Sequence, residues 1–140
     1  MVAKVAKTSY QDKQSQMLST AKELHKNDDY LCVPHCAYYS CLQLLQYFWY
    51  YVKKKTDKDL QSAREGNHNL LNGEFSKYLL SLNTPDAKYD YQRFSSKIND
   101  LKEFRVKADY KEITIFKNNS EQVIAYAEEI IKILKKYIKQ

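Results

Sequence analysis

The segment from Tyr30 to Val52 contains no Asp, Glu, Lys or Arg, and this uncharged run constrains the fold more than any other feature of the sequence. Its length suits a membrane-spanning helix. The segment also carries Pro34, His35 and several glutamines and tyrosines, which are costly to place in hydrocarbon. A buried helix at the centre of a bundle explains the segment better, and we predict no membrane insertion.

The scarcity of turn residues favours helices in the rest of the chain. The 140 residues include only two glycines and two prolines, whereas all-β folds need many more turn residues. Hydrophobic residues make up 44% of the chain and charged residues 29%, a balance typical of a globular domain. We therefore predict one all-α domain spanning residues 1–140, an antiparallel four- to five-helix up-and-down bundle.

Apolar residues recur at helical spacing in five segments, which sets the predicted bounds of the helices. Polar breaks separate them, including Asn83–Asp86, and a polar crossover at 56–67 has room for a short helical turn. The predicted loop at 109–118 contains Ile113–Ile115, which we expect to be extended and packed. The predicted helices cover residues 8–25, 34–54, 67–82 and about 86–108, and a last helix begins at Asn119 with Gln122 at the capping-box position.

The net charge of +6 comes almost entirely from lysine, since Arg64, Arg93 and Arg105 are the only arginines. A lysine excess can attract RNA or an acidic partner, or can simply form a solvated surface. Three cysteines, without an apolar export segment after Met1, favour free thiols and a cytoplasmic location.

One group of metal-ligand residue types falls within a single helical turn, formed by Cys32, His35 and Cys36. Cys41 lies further along and points elsewhere on the helix. A closed zinc site needs four ligands, so small packing residues explain the group better. We predict neither a metal site nor a cofactor.

Arg105 is the most informative charged residue. The apolar stripe of the fourth helix runs through Ile98 and Leu101 and then reaches Arg105, which places a guanidinium on the packed face. A buried guanidinium requires a carboxylate, a carbonyl, an anion or a second subunit as its partner. The alternative is that the stem packs while the charged head extends to water.

His68 follows Gly66 and Asn67 at the start of the third helix. A histidine there can act as a general base near neutral pH. It can equally be an exposed or hydrogen-bonded side chain without a catalytic role.

Two stretches of the sequence resemble the small stand-alone branch of the HEPN family. The first is Ala37-Tyr38-Tyr39-Ser40 in a long apolar helix, followed downstream by His68 and Glu74-Phe75. The second runs from Leu101 to Tyr110 and closes with Arg-x-x-Ala-Asp-Tyr. The resemblance covers roughly residues 31–140.

The resemblance implies a helical bundle, commonly dimeric, with a link to RNA or nucleotides. Many members of the family are metal-independent endoribonucleases, often toxins paired with a small nucleotidyltransferase-like partner. Their motif is an arginine, four to six residues, then a histidine. Carried over, the arginine is Arg105, but Tyr110 stands where the histidine belongs and Glu112 stands at a tyrosine position of one subgroup.

We therefore predict a HEPN-like, RNA- or nucleotide-binding homodimer from a two-component toxin–antitoxin or defence system. In this interpretation Arg105 holds a phosphate or the opposing subunit, and Asp109 and Tyr110 fix the end of the helix. One alternative is an active endoribonuclease that uses Arg105 with Tyr110 or with His68. Another is a purely structural partner of a nucleotidyltransferase.

Overall fold

The bounds of the helices follow from caps and breaks that are visible in the sequence. A computed structural model describes residues 8–61 and 66–138 of the chain. The described part contains α1 (Tyr10–Lys26), α2 (Val33–Tyr47), α3 (Asp57–Gln61), α4 (Asn67–Ser81), α5 (Pro85–Tyr110) and α6 (Lys117–Ile138), and no strand. The prediction of an all-α bundle is therefore confirmed, with α3 as the short turn in the crossover.

Hydroxyl caps start two of the helices. The side chain of Ser9 accepts the backbone N–H of Asp12 at 3.1 Å at the start of α1. Thr84 accepts the backbone N–H of Ala87 at 3.1 Å at the start of α5. Each side chain satisfies a backbone donor that has no partner within its own helix, which fixes where the helix begins.

The uncharged segment forms the central helix, as predicted. α2 packs against α1, α4, α5 and α6, and its buried side chains include Tyr38, Leu44 and Leu45. It continues into a π-helical segment, Phe48–Val52. Phe48 meets Phe75 of α4 edge-on at 5.2 Å, and Phe75 meets Phe94 of α5 at 4.8 Å, so aromatic packing joins three helices in one core.

Two predicted boundaries are wrong. α5 continues through Asp109 to Tyr110, where the loop was predicted to begin, and the backbone N–H of Lys111 still bonds to the Lys107 carbonyl at 3.0 Å. α6 begins at Lys117 rather than Asn119, because the Asn119 side chain turns back to accept the backbone N–H of Phe116 at 3.0 Å. Boundaries depend on such local bonds more than on the apolar stripe.

The connection between α5 and α6 is only partly packed. Ile115 is buried, but Ile113 is exposed, so the predicted packing of Ile113–Ile115 holds for one isoleucine. Within the described ranges 8–61 and 66–138, no helix is long and apolar enough to cross a membrane.

Candidate functional site

The Arg105 side chain lies inside the bundle, as the stripe on α5 predicted. The residue is only 8% exposed, which excludes the alternative in which its charged head extends to water. Its guanidinium carbon lies 5.3 Å from the ring centre of Tyr38, 5.6 Å from that of Tyr39 and 5.9 Å from that of Tyr110. The faces of these aromatic rings stabilise the cation without neutralising its charge.

The hydrogen-bonding capacity of Arg105 is largely unused. Among the described residues its one ion-pair partner is Asp109, one turn further along α5, with 3.7 Å between Nη1 and Oδ2. That separation is longer than a hydrogen bond. The Nε–H is buried, and among the described residues no acceptor reaches it. A buried donor without an acceptor costs free energy, and the contacts of the guanidinium within the chain do not fully offset the cost of removing it from water.

Asp109 also contacts His35, a residue of α2. Its Oδ2 atom lies 3.0 Å from His35 Nδ1, and the two side chains are 24% and 45% exposed. The His35 ring packs against Tyr39 with 4.6 Å between ring centres. Asp109 therefore connects the first turn of α2 to the last turn of α5, and His35 in turn packs on Tyr39.

His68 approaches the same tyrosines from α4. Its ring centre is 5.5 Å from that of Tyr38 and 5.6 Å from that of Tyr39. Partial burial, the positive charge of Arg105 and that of Lys102 together lower the pKa of His68 below its ordinary 6.5. His68 is therefore mostly neutral at pH 7, and the structure brings it to the Arg105 cluster rather than leaving it in solvent.

Lys102 adds a second cation one turn before Arg105 on α5. Its Nζ donates to Asn69 Oδ1 of α4 at 2.5 Å. The two residues are three positions apart on α5, which makes their side chains neighbours on the helix surface. Partial burial and the charge of Arg105 lower the pKa of Lys102 from the ordinary 10.5. An anion bound between the two cations would relieve their repulsion.

The tyrosines of the site differ in what they can do. Tyr38 is fully buried, and burial raises the pKa of its phenol to about 12, an effect that Asn72 and Arg105 only partly offset. Its phenol therefore stays neutral and serves as packing. Tyr110 is 71% exposed while its ring still contacts the guanidinium, so it presents an open aromatic face to solvent.

The residues predicted from the sequence thus form one cluster, which the sequence had divided between two helices. Arg105, Asp109 and Tyr110 lie together at the end of α5, and Tyr38 and Tyr39 connect them to His68. Lys102 and His35 were not predicted as parts of this site. The one signal for Lys102 was its position one turn before Arg105, and the sequence placed His35 only beside the cysteines.

The cysteine group shows none of the features of a metal centre. Cys32 is exposed and Cys36 is half-buried. Cys41 is buried, with its thiol 3.8 Å from the Ala127 carbonyl of α6. In the part of the chain that the structure describes, no three His, Cys, Asp or Glu side chains are grouped so that they could hold a metal ion.

The cluster is suited to binding an anion. It combines two neighbouring cations, a neutral histidine that can gain a proton or donate a hydrogen bond, and the solvent-exposed ring of Tyr110. Asp109 is the one carboxylate among these contacts, and its side chain is 24% exposed. We therefore name the group of His35, Tyr38, Tyr39, His68, Lys102, Arg105, Asp109 and Tyr110 the arginine cluster.

Comparison with protein-family models, with curated proteins and with solved structures found no match to this chain.

Proposed function

We propose that the arginine cluster binds a phosphate group of RNA or of a nucleotide. One observation carries this proposal: the guanidinium of Arg105 is buried among tyrosine rings, yet no acceptor among the described residues reaches its Nε–H. Guanidinium binds phosphate through paired N–H donors, and a phosphate oxygen is the acceptor that this group lacks. Because Arg105 is only 8% exposed, we expect its side chain to move toward the exposed Tyr110 when a phosphate binds.

Neighbouring side chains supply the other contacts that a nucleotide requires. Lys102 is placed to share the phosphate charge, and His68 can donate a ring N–H to a phosphate oxygen. The open face of Tyr110 can stack a base, and stacking on tyrosine accepts any base. The substrate chemistry is thus a phosphate next to an unpaired base.

The proposal extends to a HEPN-like protein of a two-component toxin–antitoxin or defence system. Its support is the resemblance of the Ala37–Ser40 and Leu101–Tyr110 stretches, together with a helical bundle in which both stretches meet. A nucleotidyltransferase-like protein would be the partner. Co-purification of the tagged chain from its native cell tests this, and absence of any nucleotidyltransferase from the eluate speaks against the pairing.

A homodimer is part of the same proposal. Ile113 and Phe116 are 40% and 62% exposed, and both follow Tyr110 of the arginine cluster along the chain. Burying these apolar side chains against a second copy would bring two arginine clusters together across a two-fold axis. Light scattering is expected to give twice the 16.6 kDa chain mass, and a monomer mass at all concentrations would contradict this.

Metal-independent RNA cleavage is the second candidate function, and the position of His68 favours it. A general base must be unprotonated, and the lowered pKa of His68 keeps it so at pH 7 beside Arg105. Tyr110 is the less suitable base, because general bases near neutral pH are most often imidazoles. Incubation of RNA with chelator tests this function. Cleavage that is lost in both His68→Gln and Arg105→Ala would establish it, and intact RNA would leave binding as the function.

The experiment that tests the main proposal is a binding titration with labelled single-stranded RNA at fixed salt, followed by fluorescence anisotropy. Arg105→Ala is expected to weaken binding at least tenfold and to reduce the dependence of affinity on salt, because one phosphate contact is lost. Arg93→Ala is the matched control, since Arg93 is paired with Glu129 on the α5–α6 face. Equal affinities of the two variants would contradict the proposal.

A further inference from the structure

α2 is buried on most sides but carries one narrow stripe of partly exposed side chains. The stripe passes through His35 and Tyr39 of the arginine cluster and ends at Tyr50 in the π-helical segment. Its members recur every three or four residues, which places them on one side of the helix. They are His35, Tyr39, Gln43, Gln46 and Tyr50, all partly exposed, whereas most side chains on the other sides of α2 are buried.

At the far end of the stripe lies a cleft of about 800 Å³, which we name the tyrosine cleft. Four tyrosine rings form its walls. Tyr10 stacks on Tyr50 with 5.8 Å between ring centres and 14° between planes, and Tyr47 stacks on Tyr51 at 5.0 Å and 27°. The remaining lining residues are Thr8, Ser9, Gln11, Lys13, Lys55 and Asp57.

The π-helical segment holds two of these rings in place. Its wider turn, closed by the Lys53 N–H on the Phe48 carbonyl at 2.9 Å, shifts the Tyr50 and Tyr51 side chains relative to an α-helical continuation. Trp49 anchors the turn that follows, with its ring N–H donating to the Thr56 carbonyl at 3.2 Å. π-helical turns occur frequently at functional sites, because they re-aim side chains at a cost in helix stability.

The charges around the tyrosine cleft suit a nucleic acid strand. Lys13 and Lys55 line it, and Lys53 and Lys54 are exposed immediately before Lys55. Asp57 is the acidic lining residue, and it accepts a hydrogen bond from the Tyr50 hydroxyl. Burial and the charge of Asp57 raise the pKa of Tyr10, so its ring stays neutral and can stack.

The tyrosine cleft and the arginine cluster lie on the same side of α2. Tyr39 and Tyr50 are about three helical turns apart, which corresponds to roughly 17 Å along the axis. A few nucleotides of an extended strand cover that distance. The stripe between the two sites carries glutamines and no charged side chain, so it does not repel a phosphate, and its amides can form hydrogen bonds with a base.

We infer that the tyrosine cleft is a base-stacking subsite for single-stranded RNA, and that the strand runs along α2 from the arginine cluster to this cleft. The inference rests on the proposed function, because the phosphate at Arg105 sets the register of the strand. A base must leave its own helical stack to pack on a tyrosine ring, so the ligand class is an unpaired segment of several nucleotides rather than a mononucleotide or a duplex.

The test compares two RNA lengths, an eight-nucleotide strand and a dinucleotide, against three variants of the full chain. Tyr51→Leu is expected to weaken binding of the eight-nucleotide strand about tenfold and to leave the dinucleotide unchanged, since only the longer strand reaches the cleft. Arg105→Ala weakens both lengths. Tyr89→Leu is the matched control, because Tyr89 is an exposed tyrosine on α5 that packs against Arg93.

The outcomes separate the two claims. An unchanged affinity of Tyr51→Leu for the longer strand, with Arg105→Ala still weakened, overturns the tyrosine cleft and leaves the proposed function standing. If Tyr51→Leu weakens binding of the longer strand and Arg105→Ala does not, the tyrosine cleft binds RNA but the proposed phosphate site at Arg105 is wrong. Competition by an eight-base-pair duplex as strong as that of the single strand also overturns the inference. Circular dichroism of each variant establishes that it is folded.

Discussion

His35 of α2 and Asp109 of α5 are joined at 3.0 Å between Nδ1 and Oδ2, and the same carboxylate oxygen lies 3.7 Å from Arg105 Nη1. Asp109 thus makes its closer contact with the histidine. The guanidinium keeps an incompletely paired charge, although a carboxylate is only one helical turn away. This relationship leaves Arg105 with unused donors for the proposed phosphate.

Asp109→Asn is expected to tighten RNA binding about two- to fivefold at low salt. The substitution removes a negative charge that repels the phosphate, and the 3.7 Å contact shows that Asp109 does not fix the guanidinium by a hydrogen bond. Anisotropy titrations of the variant and the wild type provide the comparison. A loss of affinity would mean that Asp109 positions Arg105 instead.

The stability of the protein is expected to fall as the pH is lowered from about 6.5, partly because of His68. Its folded-state pKa is lowered, so the unfolded chain takes up a proton at a pH where native His68 is still neutral. The contribution of His68 is therefore complete above about pH 6.5 and is lost as the pH falls through its lowered folded-state pKa.

Urea denaturation of the wild type and His68→Gln at several pH values measures this contribution. The other two histidines are common to both proteins, so they largely cancel in the difference. The advantage of the wild type over the variant should shrink as the pH is lowered. Parallel stability curves from pH 5 to pH 8 would show that His68 does not titrate differently on folding.

The carboxylate pair on Lys136 provides a stability test away from the arginine cluster. Asp90 is buried and accepts from Lys136 Nζ at 2.8 Å and from the Tyr137 hydroxyl, whereas the Asp86 side chain is 69% exposed. Burial by itself raises the pKa of Asp90, but the donors of Lys136 and Tyr137 hold it below the ordinary value. The ionised form therefore stabilises the fold near neutral pH.

Asp90→Asn is accordingly expected to cost about 1–3 kcal/mol of unfolding free energy, because buried donors lose a charged acceptor. Asp86→Asn is its matched control and should cost less than about 1 kcal/mol. The two values come from urea denaturation at pH 7. Equal costs would mean that burial does not distinguish the two ion pairs.

The position of Arg105 could be predicted because a helical stripe is a local property. Once Ile98 and Leu101 face the core, a residue one turn later does so as well, and Arg105 is buried. The central position of α2 follows from its sequence in the same way, since an uncharged helix must be covered on most sides.

The convergence of His68 on Arg105 could not be predicted, because it depends on how three helices pack. Tyr38 and Tyr39 of α2 lie between the α4 histidine and the α5 arginine, and no local pattern encodes that arrangement. The bond between His35 and Asp109 was missed for a related reason. Asp109 was predicted to lie in a loop, whereas it belongs to α5 and lies one helical turn after Arg105.

The Nε–H of Arg105 should gain a hydrogen-bond acceptor when RNA binds, and nitrogen-15 NMR observes this group directly. Arg64, Arg93 and Arg105 are the only arginines, so the spectrum of arginine Nε–H groups contains three signals that single substitutions assign. Titration with the eight-nucleotide strand should shift the Arg105 signal. The Arg93 signal should stay in place, because its Nε already donates to Glu129 at 2.7 Å. An Arg105 signal that does not move while anisotropy shows saturated binding would contradict a phosphate site at this residue.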